Sequence, residues 1–235
     1  MQVTDPNAGP SGHSDLILSY IWIRRFVGIV GATTPLLVIL FFLWTGEPWT
    51  KSISDAYHTG AREVIVGGLS AIAVFLWAYR GHEDNTGLRS DKSIARIAAL
   101  SAFVAAHFPN AVVPGVSLTW TQMVFDPDWV RNLHNLATVV FYLALAWFCL
   151  DNFCRHGAEG QPSETKMDRV LIYRTCGVLI VATAVGIVVV HFTFEDQGTW
   201  IFWLECFGVW LFSMCWLIKG KTLGPVVHLV HKIRN

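Results

Sequence analysis

Apolar residues gather along this chain into six blocks, each bounded by polar or turn-forming residues. They run from Phe26 to Trp44, Val64 to Tyr79, Ile94 to Phe108, Leu133 to Leu150, Val170 to Phe194 and Trp200 to Ile218. A helix that crosses the hydrocarbon core of a bilayer needs about 20 apolar residues, with a range of roughly 17 to 25. The blocks therefore predict an all-α fold, a polytopic transmembrane bundle of six spans. The third block is the weakest, because Arg96 lies in its first turn and Pro109 closes it. Snorkelling of Arg96 towards the headgroups reconciles that block with a span. Three regions follow: a mobile tail over 1–19, a six-helix membrane domain over 20–220 and a short amphipathic tail over 221–235 lying on the inner leaflet. The first 19 residues contain no lysine, arginine or apolar core, so they do not read as a secretory signal, and the first span serves as the membrane signal itself.

Composition and charge turn this pattern into an orientation. The 235 residues are 53% hydrophobic and 14% charged, with a mean hydropathy of +0.46, whereas a soluble domain carries about 25% charge. Fourteen of the 17 lysines and arginines fall on one side: before span one, between spans two and three or in the first turn of span three, between spans four and five or in the first turns of span five, and at or after the end of span six. The alternate segments hold only Lys51, Arg62 and Arg131. Because positive residues collect on the cytoplasmic side, both termini are expected in the cytoplasm, in a plasma or inner membrane. Trp44, Trp49, Trp120, Trp129, Trp200 and Trp203 would then form an outer aromatic belt, and Trp77, Tyr79, Trp147, Tyr173 and Trp216 an inner one. The five cysteines show no C-x-x-C and no pairing pattern, so they read as small packing residues. Gly28 and Ala32, four apart, predict a close helix approach, and Pro35 predicts a kink or a compensating neighbour.

Candidate chemistry sits at the outer ends of the spans. Ser52 to Glu63, S-I-S-D-A-Y-H-T-G-A-R-E, crowds ionisable groups against the start of span two. Read as a helix, it places Ser54, His58 and Arg62 on one face and Asp55, Thr59 and Glu63 on the next, with Asp55 orienting the His58 imidazole. The plainer alternative makes Ser54, Asp55 and Thr59 helix caps, and Arg62 and Glu63 interfacial anchors. Across the topology, His58, His107, His134 and His191 share one level with Glu205, and Arg131 and Asn135 stand beside them. Imidazoles with a carboxylate are zinc ligands. Alternatively, His58 acts as a general base while Arg62 or Arg131 holds a lipid phosphate. Histidine also suits membrane interfaces, so its plain reading is interfacial. No internal repeat, phosphate loop or dinucleotide fingerprint is present, and no paired broken helices suggest a transporter.

Ile53, Ser54 and Asp55 before span two, Glu205 near the start of the last span, and the stretches V-I-V-G-G-L and S-M-C-W-L-I-K-G resemble the Frag/DRAM/Sfk group of six-span membrane proteins. The resemblance implies lipid handling, with no agreed catalytic residues. This chain departs from the group's I-S-D-T-G by placing Ala56, Tyr57 and His58 before Thr59 and Gly60. Ser54-x-x-x-His58 also resembles the first motif of ceramidase and adiponectin-receptor-type membrane hydrolases, which implies a zinc-dependent lipid hydrolase. Those proteins carry an H-x-x-x-H pair in a seventh span, and here His228 and His231 stand only three apart in the tail. The expected partners are membrane lipids, a second copy or another membrane protein, and no nucleic acid. Lipid handling through an outer polar pocket is the leading expectation, and a metal-dependent hydrolase the alternative.

Overall fold

The computed structural model describes residues 10–81, 87–155, 165–194 and 198–234, with side chains from Ile21 onward. Every regular element among them is helical: α1 (Pro10–Thr45), α2 (Arg62–Ala78), α3 (Asp91–His107), α4 (Trp120–Val124), α5 (Pro127–Trp147), α6 (Phe153–Arg155), α7 (Lys166–Thr193), α8 (Trp200–Lys219) and α9 (Gly224–Arg234). A 3₁₀ turn spans Ser54–His58, and a π-helical turn, Phe148–Asn152, joins α5 to α6. Four helical stretches are long and apolar enough to cross a membrane: Ile21–Thr45, Pro127–Arg155, Lys166–Thr193 and Trp200–Lys219. α2 and α3 have 17 residues each and begin on charged turns, Arg62-Glu63 and Asp91-Lys92.

The six long helices close into a ring in chain order. α1 packs on α2, α2 on α3, α3 on α5, α5 on α7, α7 on α8, and α8 back on α1. Closure of α8 on α1 depends on small residues. A Cβ at Gly28 would lie 2.7 Å from Leu217 Cγ, and one at Gly31 would lie 2.5 Å from Ser213 Oγ. Such clearances let helix backbones approach closely. The Ala32 carbonyl accepts a bond from Trp210 Nε1 at 3.0 Å, one residue past the carbonyl that Pro35 leaves without its helical partner. The Thr33 and Thr34 hydroxyls bond back to Ile29 and Val30, so α1 continues through Pro35 with compensation from a neighbour.

Two expectations need correction. Pro10, Ser11 and Gly12 belong to α1, so helix begins inside the stretch read as a mobile tail, and the first nine residues lie outside the described ones. Tyr79, Tyr173 and Trp216 form no interfacial belt. All three are fully buried, with Trp216 5.0 Å from Tyr79, 5.5 Å from Phe148 and 5.3 Å from Phe153 between ring centres. Aromatic area is worth more inside a packed cluster than at the surface, and edge-to-face pairs add about 0.5–1.5 kcal/mol each. Trp44, Trp120, Trp129, Trp200 and Trp203 are exposed, as a belt requires.

At the end of the bundle opposite the 3₁₀ turn the buried carboxylates are held by protein partners, beside a cavity of about 490 Å³ lined by Tyr79, Arg80, Lys92 and Arg96. Asp91, buried at the start of α3, accepts from Asn152 Nδ2 at 2.5 Å and from the Tyr79 hydroxyl at 3.5 Å. The π turn brings Asn152 to this position and also within 3.3 Å of the Arg89 carbonyl. The final helix docks on α7: His231 Nδ1 lies 2.8 Å and Arg234 Nε 2.6 Å from the buried Asp168 carboxylate, and Val227 is buried. α9 is thus latched to the bundle, while Leu229 and Ile233 stay exposed.

Candidate functional site

The segment between α1 and α2 is bound to the start of α8. The Phe202 amide donates to the Lys51 carbonyl at 2.8 Å, and the Ile53 amide donates to Glu205 Oε2 at 2.7 Å. The Asp55 amide donates to Ser52 Oγ at 3.0 Å. Glu205 and Ser52 therefore hold the opening amides of the 3₁₀ turn, which fixes Ser54 and Asp55 in place. Glu205 is itself positioned by α5, where the Tyr142 hydroxyl donates to its main-chain carbonyl at 3.0 Å.

This geometry corrects the helical reading of Ser54 to Glu63. The 3₁₀ turn ends at His58, Thr59 is extended, and α2 starts only at Arg62. Ser54, His58 and Arg62 consequently share no face. The Arg62 guanidinium lies 4.5 Å over the Tyr57 ring and donates to the Tyr57 hydroxyl at 3.0 Å, so it clasps the turn. Asp55 does not bond His58; its Oδ1 accepts from Asn110 Nδ2 at 2.6 Å. Glu63 is exposed beside Arg62. Nε2 of His58 is buried without a hydrogen-bond partner, and burial holds its imidazole below the ordinary histidine range.

Ser54 instead meets α5. Its hydroxyl lies 3.1 Å from Nε2 of His134, and His134 Nδ1 lies 2.6 Å from the Phe108 carbonyl. Phe108 follows α3, and Pro109 ends that helix, so the freed carbonyl is available to the imidazole. His134 is buried, 5% exposed, and cannot trade these partners for water.

A cavity of about 560 Å³ opens beside this pair. Ser54, Asp55, Arg131, His134, Asn135, His191 and Glu205 line it, together with Lys51, Ser52, Asn110 and Thr138, which sequence reasoning did not assign to a pocket. Lys51 carried one signal, since it is one of only three basic residues in the segments that share this end. A second cavity of about 330 Å³ continues between α5 and α7, bounded by Leu143, Ala146, Ile180, Val181, Ala184 and Val185. Thr138, Val139, Ile187, Val188 and Glu205 line both. The polar chamber and an apolar groove therefore adjoin, sharing one wall of α5, α7 and Glu205.

Of the expected metal ligands, His134, His191 and Glu205 line the same cavity, whereas His58 and His107 do not. His107 stacks on Phe103 at 4.3 Å and turns Nδ1 to the Phe103 carbonyl at 2.9 Å, away from the cavity. His58 lies outside the cavity lining, and both ring nitrogens of His134 are engaged. Among the described residues no three His, Cys, Asp or Glu side chains come together as a zinc site needs. Glu195 and Asp196 lie outside the described residues. No protein-family model, no curated protein and no solved structure matches this chain.

Proposed function

We propose that this chain is a six-span integral membrane protein, with both termini cytoplasmic, whose outer-end cavity binds a membrane lipid with an anionic headgroup. The observation that carries the reading is the wall shared by the polar chamber and the groove between α5 and α7, an arrangement matched to an amphiphile. α2 and α3 complete the six spans, since 17 residues lie at the short end of the spanning range and each helix packs between two neighbours of the ring. The distribution of lysine and arginine supports the orientation. Within the chamber, Asp55 is bonded to Asn110 and Glu205 to the Ile53 amide. Lys51 and Arg131 are exposed at the rim, Arg131 in a solvent-exposed ion pair with Asp128 at 3.0 Å that an anionic headgroup would have to share, and the two supply the positive charge for a phosphate or carboxylate. The lipid association implied by the Frag/DRAM/Sfk resemblance agrees with this reading.

The test is native mass spectrometry of the detergent-purified chain after extraction from a membrane containing phosphatidylglycerol and phosphatidylcholine. Retention of the anionic lipid is the expected result. A basic residue near a membrane surface contributes about 1 kcal/mol. Replacing Lys51 and Arg131 with glutamine should therefore lower anionic-lipid retention by roughly 10- to 30-fold relative to phosphatidylcholine. Equal retention of both lipids by the native and doubly substituted chains would discard the headgroup reading.

A further inference from the structure

We propose that Ser54 and His134 form a nucleophile and general-base pair that cleaves or transfers the acyl group of a membrane lipid ester, an activity that rests on the lipid-binding reading of the same cavity. The direction of proton transfer follows from the hydrogen bonds. A main-chain carbonyl only accepts, so the 2.6 Å contact to Phe108 places the ring proton of neutral His134 on Nδ1. Nε2 then keeps its lone pair, and the Ser54 hydroxyl 3.1 Å away donates to it. Nucleophile, base and orienting acceptor stand in the order that activates a serine, with a carbonyl in the orienting place.

Independent partners set both members in this geometry. Ser54 rides on the turn held by Glu205 and Ser52, whereas His134 is buried on α5 and held by Phe108. A serine and a histidine that merely satisfied each other would need neither support. The pair also lines the cavity, and Thr138, one turn along α5 from His134, lines both the polar chamber and the apolar groove. A lipid with its headgroup in the chamber and its chain in the groove carries its ester linkage at that junction.

The reaction closes without a further reagent. Ser54 Oγ adds to the ester carbonyl carbon as its proton passes to Nε2 of His134. The bond from that carbon to the alcohol oxygen then breaks, and the leaving oxygen takes the proton from His134. Water, or the hydroxyl of an acceptor lipid, next gives a proton to His134, adds to the acyl carbon and releases Ser54, which recovers its proton. Lys51 and Asn135 line the same chamber, as does Arg131, which is ion-paired with Asp128, and they are side-chain donors of the chamber from which the oxygen that becomes anionic in both steps would draw its stabilisation.

The experiment uses the full chain in detergent and an alkyl fluorophosphonate as probe. Ser54 Oγ displaces fluoride from phosphorus, its proton leaves through His134, and the phosphonyl mass appears on the peptide containing Ser54. Expected results are labelling at Ser54 approaching one per chain, none in Ser54→Ala, and a rate at least about 100-fold lower in His134→Asn. Asparagine at 134 keeps a donor for the Phe108 carbonyl and removes only the base. Each variant is first matched to the native chain in helical circular dichroism and retained phosphatidylglycerol. If His134→Asn does not fold, the mapped site in the native chain and its loss in Ser54→Ala decide. A folded native chain that retains lipid but carries no label at Ser54 overturns the catalytic pair and leaves the lipid pocket standing. Label at Ser54 in a chain that retains no lipid overturns a lipid as the substrate, and neither label nor lipid overturns both readings.

Discussion

Both ends of this bundle bury a carboxylate against main-chain or side-chain donors and both hold a cavity, yet only at one end does the buried carboxylate itself line it. Asp91 is enclosed by Asn152 and Tyr79, and Asp168 by His231 and Arg234. Glu205 is equally buried and holds the Ile53 amide, but it also lines two adjoining cavities. Burial of an acid therefore does not separate structural from functional polarity in this chain. What separates them is whether the acid itself faces open volume: a cavity of about 490 Å³ lies between Trp77, Arg80 and Arg96 at the other end, but neither Asp91 nor Asp168 lines it, whereas Glu205 lines both cavities at its own end.

The largest effect expected from breaking this contrast lies at the Asp91 end. Asp91→Ala removes the acceptor of Asn152 Nδ2 and the acidic group in the first turn of α3, at a cost of about 3 kcal/mol. Glu205→Ala leaves the Ile53 amide without its acceptor, at about 2 kcal/mol. The functional order should be reversed. Folded Asp91→Ala is expected to keep its lipid, whereas Glu205→Ala loses it because the 3₁₀ turn no longer holds the chamber wall. Thermal unfolding in detergent and native mass spectrometry measure the two quantities. Lipid loss in Asp91→Ala equal to that in Glu205→Ala would erase the distinction between the ends.

The sequence shows where the helices lie because hydrophobic length is a local property. Trp200–Lys219 matches the sixth apolar block to within one residue and Lys166–Thr193 the fifth to within four, while Pro127–Arg155 contains the fourth and extends beyond it at both ends. Membership of the chamber was also largely legible, since basic residues, histidines and Glu205 sit near block ends on alternate sides. Pairing within it was not. Ser54 was matched to His58 by spacing alone, but the turn ends at His58 and its true partner is 80 residues away. That contact depends on which helices are neighbours in the ring, and no periodicity encodes helix order. Three members of the expected inner aromatic belt are core residues for a related reason: Trp216 and Tyr79, for example, lie near block ends, but the packing of α2, α8 and the π turn encloses them.

A smaller effect separates a latch from a core contact at the Asp91 end itself. Asp168 holds two side chains that remain partly exposed, 34% for His231 and 41% for Arg234. Pairs screened by solvent contribute about 1 kcal/mol or less. Asp168→Asn should therefore leave the unfolding midpoint nearly unchanged while raising amide exchange across Gly224–Arg234 several-fold. Hydrogen exchange mass spectrometry reads this directly. Unchanged exchange in α9 would mean that Val227 and its neighbours, rather than the ion pairs, hold the helix.

The smallest effect is confined to the 3₁₀ turn and is a matter of pH. Burial lowers the His58 pKa below its ordinary value of 6.5, the nearby Arg62 charge adds to this, and Asp55 and the Ala111 carbonyl oppose it. The unfolded chain therefore binds a proton at His58 more readily than the folded chain does. Stability from the neutral imidazole is full above 6.5 and is lost as pH falls from 6.5 towards the lowered folded value. Nε2 has no hydrogen-bond partner to receive the added proton, so the strain falls on the turn that carries it. Between about pH 7.5 and pH 5.5, amide exchange over Ser52–Arg62, corrected for its intrinsic pH dependence, should rise relative to that over Asp91–Ile94. His58→Gln should flatten the difference. A rise that persists in His58→Gln would move the titration to another group of the chamber, and an equal rise at both ends would remove pH sensitivity from the contrast between them.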